Sequence, residues 1–164
     1  MRYFSAGIAT LLLTLVLFQP ALATQGCNRA ASATAADLCE LVQQDREIVE
    51  AGEIISGTPQ AFDLLHGQTL SLTFRASAGQ LLDLNVLGED GVDALFVLLA
   101  PNGRALVASD NRADDDLNPL LEHYAAPANG TYTLLVTLHD DGDAGAVEIA
   151  VEVNGTLQSM PDIG

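Results

Sequence analysis

Apolar and polar residues alternate with a period of two through most of the chain after residue 46. The clearest runs are residues 69–75, 82–86, 132–138 and 147–153. Successive side chains of a β-strand point to opposite faces, so each run predicts a strand with one buried face. Ala94–Leu99 is apolar throughout, which indicates a strand that is covered on both faces.

Turn-forming residues separate these runs at short intervals. They are Gly57-Thr58-Pro59, His66-Gly67, Ala78-Gly79, Gly88 to Gly91, Pro101-Asn102-Gly103, Asn129-Gly130 and Asp141-Gly142. Gly and Asn tolerate the positive φ that tight turns require. About nine short strands divided in this way predict an all-β fold, an antiparallel β-sandwich of jelly-roll type over residues 47–153. Residues 154–164 are expected to form a frayed tail.

A helical period precedes the strands. The apolar stripe consists of Leu38, Leu41 and Val42, at i, i+3 and i+4. This spacing predicts a short helix over residues 29–46, with Asn28 or Ser32 as its N-cap. Residues 24–46 are therefore expected to be an N-terminal helical segment.

The N-terminus has the features of an export signal. Arg2 supplies a positive charge, residues 8–18 are apolar, and Ala21-Leu22-Ala23 is a cleavage signal. The apolar stretch is too short to span about 30 Å of hydrocarbon, and no later stretch is long and apolar enough. The sequence therefore predicts a signal peptide at residues 1–23 and an exported protein, periplasmic or extracellular, with no transmembrane segment.

A lipid anchor is the alternative for this end of the chain, because Cys27 lies close behind the cleavage site. A lipobox requires a leucine-like residue three positions before the cysteine and small residues between them. Of Thr24-Gln25-Gly26, only Gly26 fits. The sequence therefore disfavours a lipoprotein.

Cys27 and Cys39 are the two cysteines of the chain. Disulfides persist outside the cytoplasm, so we expect a structural Cys27–Cys39 bridge. In a chain-entropy model a loop this short contributes about 3 kcal/mol. A zinc site would need more ligands, and no histidine lies nearby in the sequence.

The charge balance restricts the partners. Without residues 1–23, the chain has 22 acidic residues, five arginines and no lysine, a net charge of −17. Such a surface repels nucleic-acid phosphates and anionic lipids, which excludes nucleic acid as a partner. The same charge favours solubility and divalent cations.

Five segments follow one another in a characteristic order. They are Ile55-Ser56-Gly57 with Ala61-Phe62-Asp63-Leu64; Gly67-Gln68-Thr69-Leu70 with Gly79-Gln80-Leu81-Leu82; Asp93 to Leu98 with Pro101-Asn102-Gly103; Ala108-Ser109-Asp110; and Gly130 to Val136. Together they resemble the bacterial pre-peptidase C-terminal domain, a β-sandwich related to the collagen-binding domains of secreted collagenases. The resemblance covers about residues 47–153 and departs from the family at Ala100, where an aspartate is common.

The resemblance implies an accessory or substrate-binding role without catalysis, next to a secreted or envelope protein. In that family the module usually follows a peptidase, whereas here it stands alone behind a helix. The resemblance also raises the expectation of Ca²⁺, which some relatives bind, without locating a site.

Sequence motifs of catalysis are missing from the chain. Neither G-x-S-x-G nor H-E-x-x-H occurs, and the three histidines are His66, His123 and His139. We expect each histidine to be solvated or structural. Because a catalytic triad is defined by geometry and not by residue order, a small secreted hydrolase stays an alternative.

Carboxylates gather in three predicted loops. The first holds Glu89, Asp90 and Asp93; the second holds Asp110, Asp114, Asp115 and Asp116; the third holds Asp140, Asp141 and Asp143. Because Ca²⁺ takes six to eight oxygen ligands, the carboxylates of the second and third loops are candidate Ca²⁺ ligands. Solvated loops of an acidic protein are the simpler interpretation.

An EF-hand is excluded. Asp114, Asp116 and Asn118 have its initial spacing, but Pro119 and Ala125 replace the glycine and the glutamate that the loop requires.

Aromatic residues argue against sugar binding, because the exported part has no tryptophan and most of its aromatic residues fall on inward strand positions. These residues are Phe62, Phe74, Phe96, Tyr124 and Tyr132. The sequence thus favours a non-catalytic exported β-sandwich that acts with another secreted or envelope component. A Ca²⁺-dependent structural domain and a small secreted hydrolase are the alternatives.

Overall fold

The computed structural model describes residues 32–42, 46–113, 116–139 and 144–156 of the 164-residue chain. One helix precedes nine strands: α1 (Ala33–Leu41), β1 (Glu47–Glu53), β2 (Gln60–Leu64), β3 (Gln68–Ala76), β4 (Gln80–Gly88), β5 (Ala94–Leu99), β6 (Ala105–Ser109), β7 (Leu120–Ala125), β8 (Gly130–Leu138) and β9 (Gly145–Thr156). A short 3₁₀ helix, Glu89–Gly91, links β4 to β5. In this part of the chain no helix has the length and apolar character needed to cross a membrane. The predicted signal peptide and Cys27 lie outside the described residues.

The strands form two sheets. The five-stranded sheet has the order β1-β3-β8-β5-β6, and the four-stranded sheet has the order β2-β9-β4-β7. The prediction of an all-β sandwich with about nine strands and a small preceding helix is confirmed. One pair departs from the antiparallel pattern, since β1 and β3 run parallel. The chain reaches β3 only after crossing to the other sheet through β2, and such a crossover can return it in the same direction.

The core lies between the two sheets. Fully buried side chains on β3 and β8 face those on β4 and β9; they include Leu72, Phe74, Tyr132, Leu134, Leu82, Leu84, Ile149 and Val151. The rings of Phe74 and Tyr132, paired in register on β3 and β8, stack with centroids 5.7 Å apart. The inward residues are those that the period of two assigned to the buried face.

A second, smaller cluster lies on the outer face of the five-stranded sheet. There α1 packs on β5 and β6, and Cys39 and Val42 contact a layer formed by Leu95, Val97 and Leu135. All six residues of β5 are buried, because the core covers one face of the strand and the helix covers the other. This explains the unbroken apolar run that the sequence shows.

Two sequence-based boundaries are wrong. The helix ends at Leu41 with Val42 as its C-cap, well before residue 46, because the Thr69 hydroxyl binds the Val42 carbonyl oxygen and the chain turns into β1. At its start, Ser32 is the N-cap and accepts a hydrogen bond from the N–H of Ala35.

The second error concerns the C-terminal tail. Residues 154–156 belong to β9, because Asn154 and Thr156 pair with Leu81 and Gln80 of β4. Residues 157–164 lie outside the described residues.

Candidate functional site

Three strand ends lie next to one another at one end of the sandwich. Ala94 of β5 pairs with Leu138 of β8, and Phe96 of β5 pairs with Ser109 of β6. The beginning of β5 and the ends of β6 and β8 therefore lie side by side. The three acidic loops predicted from the sequence start or end at these points.

Contacts between described residues join these loops. The N–H of His139 donates to the carbonyl oxygen of Asp93 at 2.9 Å, and His139 Nε2 lies 3.5 Å from Asp110 Oδ2. The other carboxylate oxygen of Asp110, Oδ1, is buried and accepts no hydrogen bond within the described residues. We call this region, formed by Asp93, Asp110 and His139, the acidic end.

Asp116 is bound to its own loop. Its Oδ1 accepts hydrogen bonds from the N–H and the side-chain amide of Asn118, at 3.1 and 2.7 Å, and its Oδ2 lies 3.4 Å from Arg112 Nη1. The Asn118 backbone and side-chain hydrogen bonds, assisted by the Arg112 charge, lower the pKa of the Asp116 carboxyl below 3.8. These contacts give Asp116 a structural role in the loop that follows β6.

The positions of the other predicted Ca²⁺ ligands are not described. Asp114, Asp115, Asp140, Asp141 and Asp143 lie outside the described part of the chain. Within that part, no group of three or more His, Cys, Asp or Glu side chains is arranged to hold a metal ion. The Ca²⁺ site therefore stays a prediction.

The histidines occupy a turn, a strand bulge and a loop. His66 is exposed in the turn between β2 and β3, and His139 belongs to the acidic end. His123 lies in β7 at a bulge, where its φ is 55°. The Asp83 carboxylate of β4 accepts the N–H of His123 and the side-chain amide of Asn154, which ties β7 and β9 to β4. This bulge could not be predicted from the sequence, because a bulge depends on cross-strand register.

Cys39 is fully buried between α1 and the five-stranded sheet. Its predicted partner, Cys27, lies outside the described residues. The Cys27–Cys39 bridge stays a prediction.

All five aromatic residues of residues 24–164 contribute to the core. Phe74, Phe96 and Tyr132 are fully buried, whereas Phe62 and Tyr124 are partly buried against the same cluster. Burial raises the pKa of the Tyr124 phenol above its usual value of 10.0.

Two solved structures illustrate the architecture that this chain shares with other proteins. The pre-peptidase C-terminal domain of a collagenase from Bacillus anthracis has 23% sequence identity and a TM-score of 0.50, over 65% of this chain and 96% of that domain. PliG of Aeromonas hydrophila, a periplasmic inhibitor of g-type lysozyme, has 20% identity and a TM-score of 0.53, over 66% of this chain and 99% of the inhibitor. At these identities the likeness establishes the fold. No curated protein sequence matches the chain significantly.

The family comparison agrees with the fold and with the ordered segments of the sequence. The match begins with β3 and ends with β8, so it includes four strands of the five-stranded sheet in full and two of the other sheet. Strands β1, β2 and β9 complete the sandwich outside the matched residues. The resemblance predicted from the sequence is confirmed: residues 68–138 match the bacterial pre-peptidase C-terminal domain.

Proposed function

We propose that this chain is an exported, non-catalytic accessory domain that binds another secreted or envelope protein. The observation that carries the proposal is the match of residues 68–138 to the bacterial pre-peptidase C-terminal domain, whose members are accessory domains. The matched strands include inner and edge strands of both sheets, and they contribute most of the buried residues of the core.

Two observations support a protein as the partner. A structural neighbour with this fold is a lysozyme inhibitor, so the same architecture can act by binding an enzyme. The net charge of −17 expected for residues 24–164 favours a partner with a basic surface, because complementary charge accelerates encounter and selects orientation. A basic secreted enzyme, with a g-type lysozyme as the first candidate, fits both observations.

Binding of residues 24–164 to a purified g-type lysozyme tests the partner. We expect saturable binding with a Kd of about 10 µM or lower and a strong dependence on salt. The collagenase domain from Bacillus anthracis is the control, since it shares the fold at 23% identity. Equal binding by both domains would indicate that the fold alone is responsible, and no saturable binding would reject this enzyme as the partner.

Catalysis and export need separate measurements. Residues 24–164 should release no product from peptidoglycan or casein above a buffer control, and turnover abolished by replacing His123 or His139 would support the hydrolase alternative. Expression of the full chain should yield a protein outside the cytoplasm whose mass corresponds to residues 24–164. A mass that includes residues 1–23, or an added acyl group, would contradict cleavage at this position.

The acidic end supports a second candidate function, Ca²⁺-dependent stabilisation. Strand register places Asp93, Asp110 and His139 near one another there, and Asp110 Oδ1 is buried without a hydrogen bond in the described residues. A divalent cation would reduce the repulsion among carboxylates so placed. We expect Ca²⁺ to raise the melting temperature of residues 24–164, and EDTA to reverse the increase.

The variant Asp110→Asn should abolish this response, and Asp63→Asn should retain it. Asp63 is the matched control because it is an exposed carboxylate on β2, in the other sheet. A melting temperature unaffected by Ca²⁺ and EDTA, with no heat of binding in calorimetry, would reject the Ca²⁺ site.

A further inference from the structure

The outer face of the five-stranded sheet is only partly covered by the described residues. At one end of the strands α1 packs on β5 and β6, and beside it Arg46 Nη1 donates to Thr137 Oγ1 at 2.8 Å. Towards the other end of β8, past Leu135, a groove of about 390 Å³ opens on the same face. The groove is separate from the acidic end, which lies where β8 finishes.

Four neighbouring strands form the groove. Glu50 of β1 pairs with Ser71 of β3, Ser71 pairs with Leu135 of β8, and two residues back along β8 Thr133 lies next to β5. The groove therefore crosses the strands, with β1 as one wall and the turn at residues 100–103 as the other. Four strands span about 14 Å, which is the length of about four extended residues. A peptide lying across the strands would be recognised through its side chains, since it would not extend the β-ladder.

The groove combines one negative charge with apolar walls. Glu50 is the one ionisable residue among the described residues that line it. The Ser71 hydroxyl donates to Glu50 Oε2 at 2.9 Å, which orients the carboxylate and leaves its charge in place. Ile48, with 39% of its surface exposed, and Leu99 supply apolar surface on opposite sides. A carboxylate beside apolar walls fits a lysine or arginine side chain, with its aliphatic stem on the walls and its cationic head on the carboxylate.

None of the described arginines lines the groove, including Arg104, which follows Gly103 of its wall. Arg75 lies 3.9 Å from Glu53, and Arg46 donates to Thr137. The part of the chain that the structure describes therefore places no cation in the groove, and we infer that the cation that complements Glu50 comes from another molecule.

We propose that this groove binds a short basic segment of a partner protein, with a lysine or arginine head group on Glu50 and its stem along Ile48 and Leu135. The proposal rests on the proposed function, protein binding, and adds the contact surface and the chemistry of the partner. The occupied length is about four residues, from the width of the four strands.

The test uses residues 24–164 and a defined probe, acetyl-Gly-Arg-Leu-Gly-amide, followed by NMR. In the wild type, amide shifts should saturate and should centre on Glu50, Ser71 and Thr133. An otherwise identical peptide with citrulline in place of arginine, which has nearly the same shape and no charge, should bind at least about tenfold more weakly.

Two variants locate the binding. Glu50→Gln should lower the affinity for the arginine peptide by about tenfold. A neutral amide can still accept a hydrogen bond from Ser71, but it cannot form an ion pair with a cation. Glu47→Gln is the matched control, since it removes the same charge from an exposed position of β1 that does not line the groove, and it should change affinity less than twofold. Thr133→Phe should abolish binding by filling the groove, and melting temperatures of all variants should confirm that they are folded.

The outcomes separate this proposal from the proposed function. Equal weakening by Glu50→Gln and Glu47→Gln, or shifts away from the groove, would overturn the groove as the site. A lysozyme that still binds the Glu50→Gln and Thr133→Phe variants with wild-type affinity would also overturn it while leaving the proposed function intact. Peptide binding in the groove without binding of any protein partner would count against the proposed function alone.

Discussion

The hydroxyl of Tyr132 binds both backbone polar groups of Ala128. It donates to the carbonyl oxygen at 2.7 Å and accepts from the N–H at 3.1 Å. The ring is fully buried and stacks on Phe74, so the two hydrogen bonds fasten the loop before β8 to the centre of the core. The arrangement is similar to the tyrosine corner of immunoglobulin-like sandwiches, in which a buried tyrosine binds backbone a few residues upstream.

Replacing Tyr132 with phenylalanine should lower the free energy of unfolding by about 1–3 kcal/mol, because it leaves two backbone groups of Ala128 without their partner. Urea denaturation measures the change. Tyr124→Phe is the control, since the Tyr124 hydroxyl makes no hydrogen bond among the described residues, and it should change stability by less than about 0.5 kcal/mol. Equal losses in the two variants would show that the Ala128 contacts contribute nothing.

Gly88, at the end of β4, lies against Val92. A Cβ atom at residue 88 would overlap the carbonyl oxygen and the side chain of Val92, which is buried. The φ of Gly88 is −82°, so packing and not backbone conformation imposes the glycine. We predict that Gly88→Ala lowers the free energy of unfolding by about 1–3 kcal/mol, measured by urea denaturation.

Gly155 is the control for this prediction, because a Cβ there meets no atom within 4 Å and lies on an exposed part of β9. Gly155→Ala should be neutral or slightly stabilising. A Gly88→Ala variant as stable as the wild type would mean that Val92 and its loop move aside at little cost.

Much of the fold follows from the sequence, because a sandwich buries one face of each strand. Tyr132 and Leu134 alternate with threonine for this reason, and the period of two therefore identifies both the strand and its inner face. The tail was missed because Asn154-Gly155 has the composition of a turn, whereas pairing with β4 extends the strand through it. The parallel pairing of β1 could not be predicted, since it depends on which sheet β2 joins.

The candidate sites were less predictable. The acidic loops are visible in the sequence, but only strand register shows that Asp93, Asp110 and His139 lie together. The groove at Glu50 gave no sequence signal, because it exists only where the helix leaves part of the sheet uncovered. The length of α1 and the position of Val42 determine that boundary, and both required the structure.

The Asp116 carboxyl predicts an acid-sensitive contribution to stability. Hydrogen bonds from Asn118 lower its pKa in the folded protein, so the folded state binds fewer protons than the unfolded state near pH 3.8. The resulting stabilisation is complete above that pH and is lost as pH falls through the lowered folded pKa. The difference in free energy of unfolding between wild type and Asp116→Asn should therefore be constant from pH 5 to 7 and shrink below pH 3.8.

Urea denaturation at a series of pH values measures this difference, and Asn118→Ala supplies the control background. Asn118→Ala removes the side-chain amide and keeps the backbone N–H of residue 118, so replacing Asp116 with asparagine in this background should alter the pH dependence less, but not abolish the effect. A difference that stays constant down to pH 2.5 in the wild-type background would contradict the role assigned to these hydrogen bonds.

The last prediction concerns Cys39 and Cys27. Cys39 is fully buried on the face of α1 that packs on the five-stranded sheet, so a bridge to Cys27 would anchor the chain before the helix to α1. Oxidised residues 24–164 should be lighter by two hydrogen atoms than the reduced protein in intact mass spectrometry, and reduction should cost about 3 kcal/mol of stability. Cys27→Ala is the variant to compare, because it removes the bridge without opening a cavity at the buried Cys39 position. The stability of this variant should match that of the reduced wild type and should not respond to reductant. A wild type that is equally stable when oxidised and when reduced would show that the bridge does not constrain the fold.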